Sequence, residues 1–273
     1  EILVDHASYP TAVIAANSHR YRPLGLGYSN LGSLLMTSGH AYDSDAGYGI
    51  CGAITALLHG AANRTSAELA SAVGAFEGFE SNREEMLRVM QMHKEAVDQI
   101  NPACPDTLQT AARSVWEDVI HDGTKHGFRN AQATVLAPTG TISFLMDCDT
   151  TGIEPDIALV KYKQLAGGGM LKILNKSVPQ SLEKLGYDQP QIESITAYID
   201  ANDKLEGAPE IKDKDLPVFD CAFEPSGGGR SIDWKAHVKM MAAAQPFLSG
   251  AISKTVNMPA TTSVDDVAEA YTW

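Results

Sequence analysis

The first stretch that could do chemistry is a short apolar run ending in a hydroxylated turn. Residues 133–142 read ATVLAPTGTI: the run stops at Pro138, Thr139 and Thr141 bracket Gly140, and apolar residues resume. A helix beginning at this turn would attract an anion such as phosphate through its unpaired N–H groups and its dipole. The threonine hydroxyls would add donors, and the glycine would allow close approach. A plain strand-to-helix connection explains the same residues, and the turn lacks the Walker A pattern, so both interpretations stay open on these residues alone.

Free cysteines are the second candidate group. Cys51, Cys104, Cys148 and Cys221 lie far apart, without a CxxC pair or a Cys/His cluster at metal-ligand spacing. This usage predicts a reducing setting, no zinc site and no disulfide framework. Cys148 lies in the polar segment 147–155, DCDTTGIEP, where a radical or redox role competes with the commoner state of a small packed thiol.

Four further residues could face a ligand. Glu154 would either position its segment beside a substrate or cap a neighbouring helix. Gly167 and Gly168 would allow a bulky cofactor or a neighbouring segment to approach, or would form a surface loop. Lys254, in SGAISKT, is a candidate phosphate or cofactor contact, with a solvated lysine as the alternative.

These residues need a scaffold of strands alternating with longer helices. Apolar periodicity and capping residues predict helices over 30–36, 43–59, from 65 onward, 82–90, 108–126, 177–185, 192–200, 234–244 and from 264 onward. Two short apolar runs, 130–137 and 218–223, are typical of buried strands. This alternation favours an α/β architecture with parallel strands.

Composition narrows the class of protein. The chain has 273 residues, of which 44% are hydrophobic and 20% charged, which is enough for a substantial core. A net charge of −13 argues against general attraction to nucleic acid. No apolar run reaches the roughly 18 residues of a membrane span, and no signal peptide is recognisable. We therefore expect a cytoplasmic protein without a membrane or nucleic-acid partner.

Three long stretches carry a resemblance to a known family. Residues 22–36 (RPLGLGYSNLGSLLM), 130–172 (NAQATVLAPTGTISFLMDCDTTGIEPDIALVKYKQLAGGGMLK) and 242–259 (AAAQPFLSGAISKTVNMP) closely resemble the catalytic α/β barrel of adenosylcobalamin-dependent (class II) ribonucleotide reductases. The resemblance implies part of a ten-stranded α/β barrel, built from two five-stranded halves around a central finger loop.

The resemblance also implies a reaction. In this family the ribose 2′-hydroxyl of a nucleoside di- or triphosphate is replaced by hydrogen, which supplies deoxyribonucleotides for DNA synthesis. Adenosylcobalamin generates a thiyl radical on the finger-loop cysteine, and a cysteine pair, recharged by an external dithiol reductant, supplies two electrons. The residues that match the family's substrate-phosphate loop are Pro138, Thr139, Gly140, Thr141 and Ile142. Those expected near substrate or cofactor are Cys148, Glu154, Gly167, Gly168 and Lys254.

The sequence departs from the family at the finger loop, which carries the radical cysteine. The finger loop reads Asn-x-Cys-x-Glu, and the nearest match here is Cys104, with Asn101 three residues before it and Asp106 in place of the glutamate. We therefore predict no catalytic residue within this segment and no activity alone. Residues 1–273 are expected to be the C-terminal half of the barrel, truncated at both ends. The N-terminal half would come from the same or a partner chain, and a homodimer is a further expected assembly.

Two other hypotheses stay open. A barrel fragment could bind nucleotides without catalysis, or serve as the downstream subunit of a split reductase. An unrelated α/β enzyme could use the same turn to hold a phosphate. An upstream or partner chain that carries the finger loop separates the first alternative from the enzyme.

Overall fold

The computed structural model describes residues 1–164, 167–225 and 227–273, and helices dominate this part of the chain. The α-helices are α1 Ile2–His6, α2 Ala12–Tyr21, α3 Leu31–Thr37, α4 Asp45–Val73, α5 Arg83–Val97, α6 Asp106–His126, α7 Gly140–Leu145, α8 Ser177–Lys184, α9 Gln189–Asn202, α10 Trp234–Ala244 and α11 Val264–Thr272. Short 3-10 helices span Glu80–Asn82, Asp213–Phe219 and Gln245–Phe247. The strands are β1 Val160–Gln164 and β2 Met170–Leu174, which pair antiparallel with Val160 opposite Leu174.

The chain divides into two compact units. The first comprises Glu1–Gly27, Gly49–Ala137 and Ala242–Ile252. The second comprises Tyr28–Tyr48, Pro138–Met241 and Ser253–Trp273. Each unit has its own core of buried apolar side chains, so each is described separately.

The core of the first unit is built largely on α6. The helix predicted over 108–126 is confirmed, and it presents a buried stripe in which Ala112, Trp116 and Val119 are fully buried. The indole Nε1 of Trp116 donates to the carbonyl of Ala56 at 3.0 Å, so its one polar atom is satisfied inside the core. The helix ends where Gly127 takes a positive φ of 71°, a conformation that favours glycine.

The strand predicted over residues 130–137 is present as extended backbone with sparse pairing. Leu26 forms a parallel bridge with Thr134, and Leu136 forms another with Ile252. The N–H of Val135 donates to the carbonyl of Leu26 at 2.9 Å, and that of Leu136 to Ala251 at 3.0 Å. Parallel pairing in the first unit is therefore confirmed in direction, although it consists of isolated bridges.

One predicted strand is wrong in type, and two predicted helices are wrong in extent. Residues 218–223 are not a strand, because a 3-10 helix covers Asp213–Phe219 and includes Pro217, which has no N–H to donate to a sheet. The helices predicted over 43–59 and from 65 onward are one helix, α4. Asn63 fits inside this helix because its side-chain amide donates to the carbonyl of His59 at 2.9 Å.

The core of the second unit lies between α8, α9 and the 3-10 helix at Asp213–Phe219. Val178, Leu182, Ile195 and Ile199 are fully buried there. A capping box of Asp188 with Gln191 starts α9. Helix α3 joins this core and contacts α8 through the hydroxyl groups of Ser33 and Ser177, which are 2.9 Å apart.

Across the described parts of the chain, none of the helices combines the length and the apolar character that crossing a bilayer demands.

The packing of α3 leads to a first prediction. A Cβ at Gly32 would lie 2.5 Å from the carbonyl oxygen of Glu154 and 2.9 Å from the Cα of Pro155. Gly32→Ala should therefore lower the free energy of unfolding by about 1–3 kcal/mol, as overpacking does. Urea or thermal unfolding measures the change.

A matched control uses another helical glycine. At Gly140 a Cβ meets no heavy atom of the described residues within 4 Å. Gly140→Ala should leave stability unchanged or raise it by about 0.4–1 kcal/mol. Equal stability of the Gly32→Ala and wild-type proteins would contradict the close contact of α3 with residues 154–155.

Candidate functional site

The hydroxylated turn ends directly in a helix, as the sequence predicts. Thr139 is the N-cap of α7 and adopts the left-handed conformation with φ of 55°. The N–H groups of Gly140, Thr141 and Ile142 occupy the first turn, where a helix provides no carbonyl partner. Among the described residues no side chain caps this end. Pro138, Thr141 and Ile142 are exposed, so the turn lies at the surface of the second unit.

The hydroxyl of Thr139 is used inside the protein. Its Oγ1 accepts the N–H of Gly152 at 2.7 Å and lies 2.9 Å from the hydroxyls of both Ser29 and Ser143. This cluster fastens the turn to the polar segment that follows α7. The sequence suggested Thr139 as a hydroxyl donor to a ligand, and in the structure this hydroxyl also has a partner in the segment 147–155. Thr141 itself is exposed.

The polar segment 147–155 is fixed to residues before and within α3. The Oδ1 of Asn30 accepts from the N–H of Thr150 at 3.0 Å, and the N–H of Ser33 donates to the Thr150 hydroxyl at 3.2 Å. The hydroxyl of Tyr42 donates to the carbonyl of Ile153 at 2.7 Å. An irregular segment held at this many points keeps one conformation, which a binding site requires.

Glu154 and Lys254 form a buried ion pair. The side chain of Lys254 is 0% exposed, and its Nζ lies 2.5 Å from Oε2 of Glu154. The same Nζ contacts Nδ1 of His237 at 2.8 Å and the carbonyl of Thr255 at 2.6 Å. The other carboxylate oxygen of Glu154 accepts the N–H of Thr255 at 2.8 Å. The solvated lysine considered from the sequence is therefore wrong.

Burial shapes the electrostatics of this cluster. It lowers the pKa of the Lys254 ammonium, an effect that the neighbouring Glu154 carboxylate opposes. Burial and the charge of Lys254 together lower the pKa of His237 to about 3, so this imidazole is neutral at neutral pH. Because its Nδ1 accepts from the ammonium, the proton sits on Nε2. That Nε2 is buried without a hydrogen-bond partner among the described residues.

A cavity of about 400 Å³ opens beside the ion pair. Its walls include Phe144 of α7, Glu154, Lys161 of β1, Phe223 and Thr255. The volume and the mixture of aromatic and polar walls are typical of a site for a small organic ligand. Phe144 belongs to α7, so the cavity lies against the helix that begins at the hydroxylated turn. Its side chain is 77% exposed.

Lys161 contributes a positive charge to the cavity wall. Its Nζ lies 2.7 Å from Oδ1 of Asp156, whose own side chain is almost completely buried. Burial raises the pKa of Asp156, while Lys161 acts in the opposite direction. The Lys161 side chain is partly exposed and lines the cavity, while its ammonium group is paired with the aspartate.

The remaining predicted residues lie outside this cavity wall. Cys148 is a free, half-buried thiol whose backbone N–H donates to the carbonyl of Ser143 at 2.9 Å. Gly167 and Gly168 are exposed at the turn between β1 and β2, and a Cβ at either would meet no heavy atom of the described residues within 4 Å. The described residues contain no cluster of three or more His, Cys, Asp or Glu that could hold a metal ion.

Sequence reasoning missed several residues of the site. His237, Ser29, Phe144 and Lys161 were not singled out, although Ser29, Phe144 and Lys161 fall within the stretches that carry the family resemblance. His237 had a weak signal, since it lies one turn before the apolar residue Met240 on α10 and therefore on the same buried face. Nothing local marks Lys161 as part of a cavity.

Comparison with known proteins shows which family the sequence matches. The sequence model of the family described as "Ribonucleotide reductase, barrel domain" matches residues 1–273. The vitamin B12-dependent ribonucleotide reductase of Rhodopirellula baltica is 68% identical over 273 residues, which is 100% of this chain and 26% of that protein.

More distant relatives match to a similar extent along the chain. The vitamin B12-dependent ribonucleotide reductase of Streptomyces coelicolor is 50% identical over 275 residues, covering 99% of this chain and 28% of the relative. The vitamin B12-dependent ribonucleoside-diphosphate reductase of Mycobacterium tuberculosis is 29% identical over 269 residues, covering 98% of this chain and 32% of the relative. The chain thus spans about a quarter to a third of the length of these curated relatives.

The neutral state of His237 leads to a pH prediction. The folded protein keeps this imidazole neutral down to a pKa of about 3, whereas the unfolded chain protonates it near its ordinary pKa. The unfolded state therefore binds an extra proton between those values, and stability falls as the pH drops from about 6.5 toward 3. His237→Asn keeps an acceptor near the Nδ1 position and should reduce the slope of stability against pH in this range.

Thermal unfolding at several pH values measures this slope. His59 has a similarly lowered pKa and keeps its own contribution in the variant, so the comparison isolates His237. His6→Asn, at an exposed position on α1, serves as the control and should leave the slope unchanged. Identical slopes for the wild-type and His237→Asn proteins would show that His237 is not held neutral by the fold.

Proposed function

The chain belongs to the ribonucleotide reductase barrel-domain family, and from this premise we propose that it is part of an enzyme that converts ribonucleotides to 2′-deoxyribonucleotides. Two of the relatives described above are named vitamin B12-dependent ribonucleotide reductase. We extend the reaction and the adenosylcobalamin cofactor to the whole protein that contains residues 1–273. The segment itself supplies part of the substrate site.

One observation carries this proposal: a turn whose first N–H groups have no side-chain cap among the described residues begins the short helix that also supplies an aromatic wall of the cavity. The N–H groups of Gly140, Thr141 and Ile142 would hold the phosphates of the nucleotide, with the Thr141 hydroxyl as a further donor. Because α7 has six residues, its dipole contributes little, and these individual donors do the binding. Pro138 sets the approach to the turn, and Thr139 ties it to Gly152.

The nucleoside portion fits the cavity beside the turn. Phe144 and Phe223 offer aromatic surfaces to a base or sugar, and Glu154 and Thr255 offer polar groups. The partly exposed charge of Lys161 favours an anionic ligand. These features suit a nucleoside di- or triphosphate and do not separate the two. Cys148 stays a half-buried neighbour of this site on the same segment.

The cofactor is larger than this cavity. A volume of about 400 Å³ suits a nucleotide and is too small to enclose a corrinoid. When bound, adenosylcobalamin would supply the radical that starts the reaction. The open space around Gly167 and Gly168 would allow a large flat group to approach the backbone, and we place the cofactor-facing surface of this segment there.

The rest of the catalytic apparatus is proposed to lie outside residues 1–273. The parallel bridges of the first unit support our proposal that the segment is the C-terminal part of a ten-stranded α/β barrel. The other half would carry the finger-loop cysteine and come from the same or a partner chain. An external dithiol reductant completes the electron supply. A homodimer and a cytoplasmic location stay predictions.

The activity itself is a direct prediction. The full-length protein that contains this segment should form deoxyribonucleotide from a ribonucleoside di- or triphosphate when given adenosylcobalamin and a dithiol. Residues 1–273 alone should form none, because none of their four cysteines lies in an Asn-x-Cys-x-Glu loop. Chromatographic measurement of the deoxyribonucleotide tests both statements.

The outcomes separate the enzyme from the alternative. Nucleotide binding without turnover by the full-length protein would favour a non-catalytic nucleotide-binding barrel. Turnover by residues 1–273 alone would contradict the assignment of the radical cysteine to another part of the protein.

The phosphate turn leads to its own prediction. Thr141 is exposed in the first turn of α7, so Thr141→Asp places a negative charge where the phosphates would lie. Repulsion between like charges costs several kcal/mol in close contact, so the KM for the ribonucleotide should rise at least about tenfold. Steady-state kinetics of the full-length protein measure it. Thr261→Asp, at another exposed threonine of the same unit, should leave the KM unchanged.

A further inference from the structure

The buried ion pair between Glu154 and Lys254 makes further hydrogen bonds to His237 and Thr255. We propose that Lys254 is a positioning residue that holds Glu154 at the cavity wall, where the carboxylate accepts a hydrogen bond from an O–H or N–H donor of the nucleoside. This inference rests on the proposed function and gives the nucleotide an orientation in the cavity. The phosphates lie at the turn that begins α7, and the donor-bearing nucleoside lies at Glu154.

The contacts of Lys254 exclude a direct role in binding phosphate. An ammonium group has three N–H donors. The Nζ of Lys254 has three acceptors in place, Oε2 of Glu154 at 2.5 Å, the Thr255 carbonyl at 2.6 Å and Nδ1 of His237 at 2.8 Å. Its side chain is fully buried. No donor is left for a ligand, so Lys254 acts through the groups it contacts.

Glu154 has acceptor capacity that its protein partners do not use. An ionised carboxylate offers about four lone-pair sites. Lys254 and the N–H of Thr255 each occupy one oxygen. The Glu154 side chain is 20% exposed and lines the cavity. The remaining sites therefore accept from a donor inside the cavity, and the negative charge disfavours a phosphate at that end.

The ion pair also joins two walls of the cavity. Glu154 belongs to the segment fastened to Thr139 through Gly152, and Thr255 follows Lys254 directly in the chain. Both Glu154 and Thr255 line the cavity. A carboxylate held by a buried ammonium and a backbone N–H loses little freedom when a ligand binds, which is the advantage of a preorganised acceptor.

The experiment compares four forms of the full-length protein: wild type, Glu154→Gln, Lys254→Met and the double variant. Each single variant leaves one buried polar partner uncompensated and should unfold at a lower temperature. The double variant removes both charges and should recover most of that loss. If the pair were structural alone, its kinetics would recover with its stability.

Kinetic and binding measurements distinguish this role of Glu154 from a purely structural role of the ion pair. The double variant should keep a KM for the ribonucleotide raised about tenfold, with kcat within about threefold of wild type, as loss of one hydrogen bond to a charged group implies. Affinity for a ribonucleoside diphosphate should fall to a similar extent in the double variant, and affinity for pyrophosphate should stay unchanged. A wild-type KM in the stable double variant would overturn the inference, as would equal losses of affinity for both ligands.

A control pair and the wild-type protein complete the design. Lys235 and Glu269 form an exposed ion pair at 2.9 Å in the same unit, and the double variant Lys235→Met with Glu269→Gln should change neither stability nor KM. Absence of turnover by the wild-type protein would overturn the proposed function. The binding comparison would then still decide the role of Glu154, because it needs no reaction.

Discussion

A buried ammonium group requires a carboxylate and further acceptors around it, and the second unit meets this requirement at Lys254. Glu154, His237 and the carbonyl of Thr255 surround its Nζ, so residues distant in the chain must come together before the charge can leave water. Glu154 in turn belongs to a segment fastened through Gly152 to Thr139, at the start of α7. The geometry of the candidate site therefore depends on one desolvated charge.

Local patterns of the sequence were sufficient for most helices. The stripe of α6 and the helix that begins after the hydroxylated turn follow from apolar spacing and turn residues. The run 218–223 was predicted as a strand from its apolar composition. That composition does not show the effect of Pro217 just before it, which lies in a 3-10 helix and has no N–H to donate to a sheet. The break expected before residue 65 failed because the Asn63 side chain bonds to the helix backbone instead of ending the helix.

Some residues of the candidate site were singled out from the sequence, whereas their contacts could not be predicted. Glu154 and Lys254 were both chosen from the sequence, yet they stand 100 residues apart, and no periodicity predicts that they pair. For the same reason nothing in the sequence indicates that the hydroxyl of Thr139 accepts from the N–H of Gly152. The family resemblance identifies the segments of a site, whereas tertiary contacts decide whether a side chain binds a ligand or another part of the protein.

The parallel bridges of the first unit have a consequence for the order of folding. Leu136 pairs with Ile252, so the bridge waits until the later residue has left the ribosome. At typical synthesis rates this delay is on the order of ten seconds, far longer than helices need to form. Helices α5 and α6 pack within a short stretch of chain, so they can be in place during that time. The paired backbone around Leu136 is then added to a helical layer that already exists.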